Sequence, residues 1–143
     1  MKFRIIPIVL LAGSLPVWAA LPGESAISPM VGTWEATLPN GCVERHTFRV
    51  DGFMSGTSGV EYVEEKYTFH PLPDEGGFHK LEGLTLNDTG GPDCGDSIED
   101  HSGKSWTAYI VFSPDKNMHL VCAEPRFATC WGPYRRIQPN SPR

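Results

Sequence analysis

Five histidines, His46, His70, His79, His101 and His119, and four cysteines, Cys42, Cys94, Cys122 and Cys130, are the side chains best suited to metal, nucleophilic or acid–base chemistry. Their spacing argues against a preformed centre. The histidines fall on separate segments with no His-x-His or His-Glu-x-x-His pattern, and no Cys-x-x-Cys pair is present, so neither a metal site nor a cofactor is expected. Ser55-Gly56-Thr57-Ser58-Gly59 lacks the Gly-x-Ser-x-Gly order of a nucleophile elbow and reads as a turn or weak edge strand. Glu64 and Glu65 are adjacent, so on a strand they point to opposite faces and cannot work as an acid–base pair. Catalysis is not expected.

Binding is better represented. Glu44, His46 and Phe48 share one face of a predicted strand, and Glu44 with His46 makes a polar spot able to orient a ligand. Tyr67 and Trp106 join them as ligand-binding candidates. Asp93, Asp96, Glu99 and Asp100 crowd one loop without EF-hand spacing, which reads as a solvated loop, with a charged contact surface for a basic partner as its other use. Arg126, Phe127 and Trp131 are residue types enriched in binding hot spots, although Trp131 and Tyr134 could instead fill an interior.

The elements that position these groups begin with an address. Met1, Lys2 and Arg4 precede an apolar run from Ile5 to Leu15 and then Val17-Trp18-Ala19, the order of a secretory signal cut after Ala19. The expected location is periplasmic or secreted. Removing residues 1–19 leaves 124 of 143, the size of one domain, and losing Lys2 and Arg4 takes the net charge from −5 to −7. Nucleic acid is thereby an unfavourable partner. In an exported chain four cysteines imply two disulfides. Three pairings are open. Cys122 and Cys130 flank a short connection between two extended runs, which favours 122–130 and leaves 42–94.

Residues 20–30 read as a loose leader with Pro22 and Pro29, residues 31–138 as the domain, and 139–143 as a tail. Val31 to Leu38 alternates Gly32, Trp34, Ala36 and Leu38 against Thr33, Glu35 and Thr37. Cys42 to Val50 follows, with Phe48 and Val50 on one face, then the Asp51-Gly52 hairpin signal and Phe53 to Gly59. Tyr62 to Leu72 brings Val63, Tyr67 and Phe69 together, and Phe78 to Leu86 breaks alternation in a way that suggests a bulge at Gly83. Asn87 to Gly103 is irregular and expected to be pinned at Cys94; Trp106 to Phe112, Met118 to Ala123 and Thr129 to Ile137 complete eight strands. Without an apolar stripe at helical spacing, the class is all-β, most simply an antiparallel up-and-down barrel with two disulfides, with an open sandwich as competitor.

Gly32-Thr33-Trp34 on the first strand, with Arg135 and Arg136 on the last, resembles the lipocalin and wider calycin superfamily, in particular its small bacterial exported members. The resemblance implies that Gly32, Trp34 and one of the two arginines close the barrel where its first and last strands meet, an arginine lying on the indole face. The sequence departs from that family in showing no lipocalin-type helix before its last strand. Two functional expectations follow: an exported, monomeric barrel holding a small apolar molecule, or a protein-binding inhibitor or immunity protein that neutralises a hydrolase or toxin. A small barrel enzyme is the third.

Overall fold

The computed structural model describes residues 27–137. The expected signal segment with its cut after Ala19 and the 139–143 tail lie outside them. The described chain forms eight antiparallel strands: β1 (Gly32–Thr37), β2 (Val43–Phe48), β3 (Phe53–Ser58), β4 (Glu61–Phe69), β5 (His79–Asp88), β6 (Ser105–Phe112), β7 (Met118–Cys122) and β8 (Cys130–Ile137). Each pairs with the next, and β8 returns to β1 through Thr33↔Ile137, Trp34↔Arg136 and Glu35↔Arg135, closing the barrel. Closure leaves no sheet edge exposed, which answers the sandwich alternative. The single helical element among the described residues is the 3-10 turn Phe127–Thr129. No helix there is long and apolar enough to cross a membrane.

Two local expectations are corrected. β2 ends at Phe48, and Val50, expected beside it on the inner face, is 77% exposed because Asp51-Gly52 has already begun the turn, with Gly52 at φ +82°. The bulge sits at Leu86 rather than Gly83: Glu64 pairs with Asn87 and Glu65 with Thr85, which leaves Leu86 without a partner. That extra residue has a consequence for the interior. Thr85 and Asp88, three apart, would face opposite ways on a regular strand, yet both are buried. Gly83 answers a different need. A Cβ there would lie 2.2 Å from the Trp106 indole, so its glycine makes room for that ring.

The two ends of the barrel are built differently. At the end holding the start of β1, Trp34 is fully buried and donates its indole N–H to the Met30 carbonyl at 2.8 Å. Arg136 lies 4.1 Å above the indole centroid and donates to the carbonyls of Val31 and Pro29. Gly32, at φ +130°, carries no Cβ because one would sit 2.5 Å from the guanidinium. The choice left open between two arginines therefore falls on Arg136; Arg135 is exposed, touching Met118 Sδ. Met30, expected within a loose leader, is 1% exposed and plugs this floor. Above it pack Phe48, Tyr67, Leu81, Ile110 and Tyr134.

Both disulfides staple the opposite end. Cys42–Cys94 joins the β1–β2 turn to the long loop after β5, and Cys122–Cys130 links facing residues at the ends of β7 and β8. No free cysteine remains among the described residues.

Candidate functional site

On three strands the inward positions above the floor are small: β3 runs Met54, Gly56, Ser58; β5 Leu81, Gly83, Thr85; and β6 Phe112, Ile110, Ala108, before Trp106 returns a large ring opposite Gly83. Side chains of this size cannot fill an eight-stranded barrel, whose interior can also hold one small ligand. A cavity of about 440 Å³ results, within the roughly 300–1,000 Å³ of small-molecule sites. Its lower walls are Met30, Phe48, Leu81 and Ile110, and its mouth is framed by Glu61, Asp88, His101 and Lys104.

Between floor and mouth lies a buried carboxyl. Glu65 comes from β4, where its neighbour Glu64 points outward as the strand period demands. Its Oε1 accepts from the Thr85 hydroxyl at 2.8 Å and the Trp106 indole N–H at 2.9 Å. Its Oε2 has no hydrogen-bond partner among the described residues and is not sealed from the cavity. Burial pushes the Glu65 carboxyl above the usual carboxylate range, against the two hydrogen bonds that favour its ionised form.

Two imidazoles line the same space. His46 reaches it because Gly56 stands opposite; a Cβ at Gly56 would approach the His46 ring to 3.1 Å and Val63 to 2.9 Å. Burial lowers the His46 pKa and Glu44 opposes the shift, so the ring is neutral at pH 7. His119 is 1% exposed, lies 4.4 Å edge-on to Trp34 and stacks on Tyr134, and neither ring nitrogen finds a partner among the described residues. Burial, helped by His46 and Arg136, takes its pKa down to about 3.

At the mouth, Glu61, Asp88 and His101 place one ligand atom each within 4.8 Å of one another, a donor set able to hold a metal ion that the separated sequence positions gave no hint of. Asp88 is already occupied, however. Its carboxylate accepts from the Gly90 and His101 backbone N–H groups and from the His101 ring, so it anchors the loop that ends β5. Burial opposes its charge, but these bonds outweigh burial and hold its pKa down. Glu61 moves the other way, raised by burial and then by Asp88 and Asp93.

Of the four ligand candidates, His46 and Trp106 line the cavity and two do not. Glu44 is consumed by hydrogen bonds from Ser58 Oγ and the Tyr134 hydroxyl, and Tyr67 donates its hydroxyl to the Arg49 carbonyl within the packed floor. Glu65, Thr85 and His119 take their places. In the acidic loop, Asp93 accepts from the Gly95 and Ser97 N–H groups and Asp100 from Ser102, so both carboxylates shape the loop. Asp96 and Glu99 remain exposed, Glu99 beside His101. Of Trp131 and Tyr134, only Tyr134 fills the interior; Trp131 is 45% and Phe127 63% exposed, Phe127 leaning on Phe78. Arg126 pairs with Glu124 at 2.8 Å. Compared with known proteins, the chain matches no protein-family model, no curated protein and no solved structure.

Proposed function

We propose that this protein is an exported, non-catalytic binding barrel that holds one small, largely apolar molecule outside the cytoplasm. The cavity of about 440 Å³, floored by Met30, which accepts the Trp34 indole N–H, and framed above by His101 and Lys104 of the loop that Cys94 staples, carries the reading. Its apolar lower walls supply the burial that drives capture, and the few polar groups higher up, Glu65 and His46, supply orientation. The disulfides support an oxidising compartment, in keeping with the basic and apolar opening of the sequence.

Native mass spectrometry of the protein purified from its own source tests this directly. A retained small molecule, lost on unfolding, is the expected result; a mass equal to the polypeptide alone together with stoichiometric capture of one protein would overturn it. The exposed Phe127 and Trp131 beside Cys130 favour that second outcome, an inhibitor-like contact, as the alternative.

A further inference from the structure

We propose that the molecule held in the barrel carries a basic amine, and that its ammonium group pairs with Glu65 while its hydrocarbon part lies against the apolar lower wall. This rests on the ligand-binding reading above and names the chemical class of ligand.

The charges that face the cavity are mostly negative. Glu61, Glu65 and Asp88 are carboxyl groups, whereas Lys104 is the one fixed cation among the lining residues. Depth decides between them. Glu65 is 8% exposed, in the cavity wall, while Lys104 is exposed at the rim with Asp100 near enough to act on it. An exposed charge is screened by solvent and salt; a buried one is not. A ligand carboxylate would meet the weak partner and be repelled by the strong ones.

Hydrogen-bond capacity leads to the same class. Glu65 Oε1 already accepts two bonds, which fixes the carboxyl in place, and Oε2 has no partner among the described residues. An ammonium offers three donors and no acceptor. Oε2 takes one, and the neutral His46 ring is a further acceptor in the same cavity. Trp106 adds an aromatic surface of the kind that attracts cations. Gly83 is part of this arrangement, because only a residue without Cβ lets the indole lie where it holds Glu65.

Three probes of equal chain length test the assignment: octylamine, octan-1-ol and octanoate, titrated calorimetrically into the intact disulfide-bonded protein at pH 7. Octylamine is expected to bind about tenfold to a hundredfold more tightly than octanoate, with octanol between them, the range of one charge-assisted hydrogen bond against its loss. Glu65→Gln is expected to remove about tenfold from octylamine and to leave octanol within about twofold. Glu61→Gln, at the mouth, costs octylamine less. Equal binding of the three probes, or tighter octanoate, overturns the amine and leaves the cavity reading standing. No binding by any of them removes both. Should Glu65→Gln fail to fold, the order of the three probes on the unaltered protein still decides.

Discussion

Acid should unfold this barrel through one imidazole, and the size of the effect can be worked out. His119 is neutral in the folded state down to pH about 3, whereas in the unfolded chain it protonates near 6.5. Between those values the unfolded state binds a proton that the folded state does not, so stability is complete above pH 6.5 and is lost as pH falls. Each unit below 6.5 costs about 1.4 kcal/mol, so two units, at pH 4.5, cost about 2.7 kcal/mol. Against a domain stability of roughly 5–15 kcal/mol that is a large share. Asp88, Asp100, Asp115 and Glu82, whose pKa values are lowered, contribute in the same sense only below their ordinary values of 3.8 and 4.5. Glu61 and Glu65, raised by burial, oppose His119 in the window above 4.5, and His46 acts with it. A variant separates them: His119→Phe keeps the ring against Trp34 and Tyr134 but removes the proton site. Urea unfolding followed by tryptophan fluorescence, with a slope of about 1.5 kcal/mol/M, should place the unaltered midpoint roughly 1.8 M lower at about pH 4.5 than at about pH 7. The midpoint of the His119→Phe variant should fall by less than about 0.5 M over the same interval. Equal pH dependence in both proteins would refute the assignment.

Two further perturbations probe the ends of the barrel. Arg136→Ala removes the contact over Trp34 and three carbonyl hydrogen bonds, the one to Lys116 long at 3.4 Å, an expected loss of about 3 kcal/mol, while exposed Arg135→Ala should cost less than about 0.5 kcal/mol; equal losses in urea unfolding would sink the closure argument. Replacing Cys42 and Cys94 together by alanine releases a crosslink spanning 52 residues and should cost about 4 kcal/mol, against about 2.6 kcal/mol for Cys122 with Cys130, which spans 8. A reversed ranking, measured on the two double variants, would contradict the loop-entropy account.

The fold was legible because its signals are local. Alternation at Trp34 and Ala36, the turn at Asp51-Gly52, and the even cysteine count each needed only a few neighbouring residues to interpret. The site was less so, because its composition depends on which strands meet across the barrel. Glu44 and His46 share a face, but only closure decides that Glu44 is taken by Tyr134 from β8 while His46 lines the cavity. Asp88 turns inward because of a bulge that the sequence pattern placed three residues too early, at Gly83. β7 was ambiguous for another reason: Met118, Leu120 and Val121 make both faces apolar, so period two could not reveal that His119 is the buried residue.

The position of the crosslinks follows from the cavity. At the floor, Trp34, Phe48, Ile110 and Tyr134 interdigitate, and burial of that much aromatic and aliphatic surface holds the strand ends without help. Towards the mouth several inward residues, Gly56, Ser58, Thr85 and Ala108, are small, which leaves space unfilled and so gives up contact energy. A barrel that keeps a cavity at one end must stabilise that end by something other than packing. Cys42–Cys94 and Cys122–Cys130 both lie there, where they limit the unfolded chain without occupying the interior. Glu65 fits the same division of labour. A carboxyl so buried is destabilising on its own, and hydrogen bonds from Thr85 and Trp106 only partly offset that cost. A filled interior would have no use for it, whereas a bound ammonium would complete its hydrogen bonding and its charge at once.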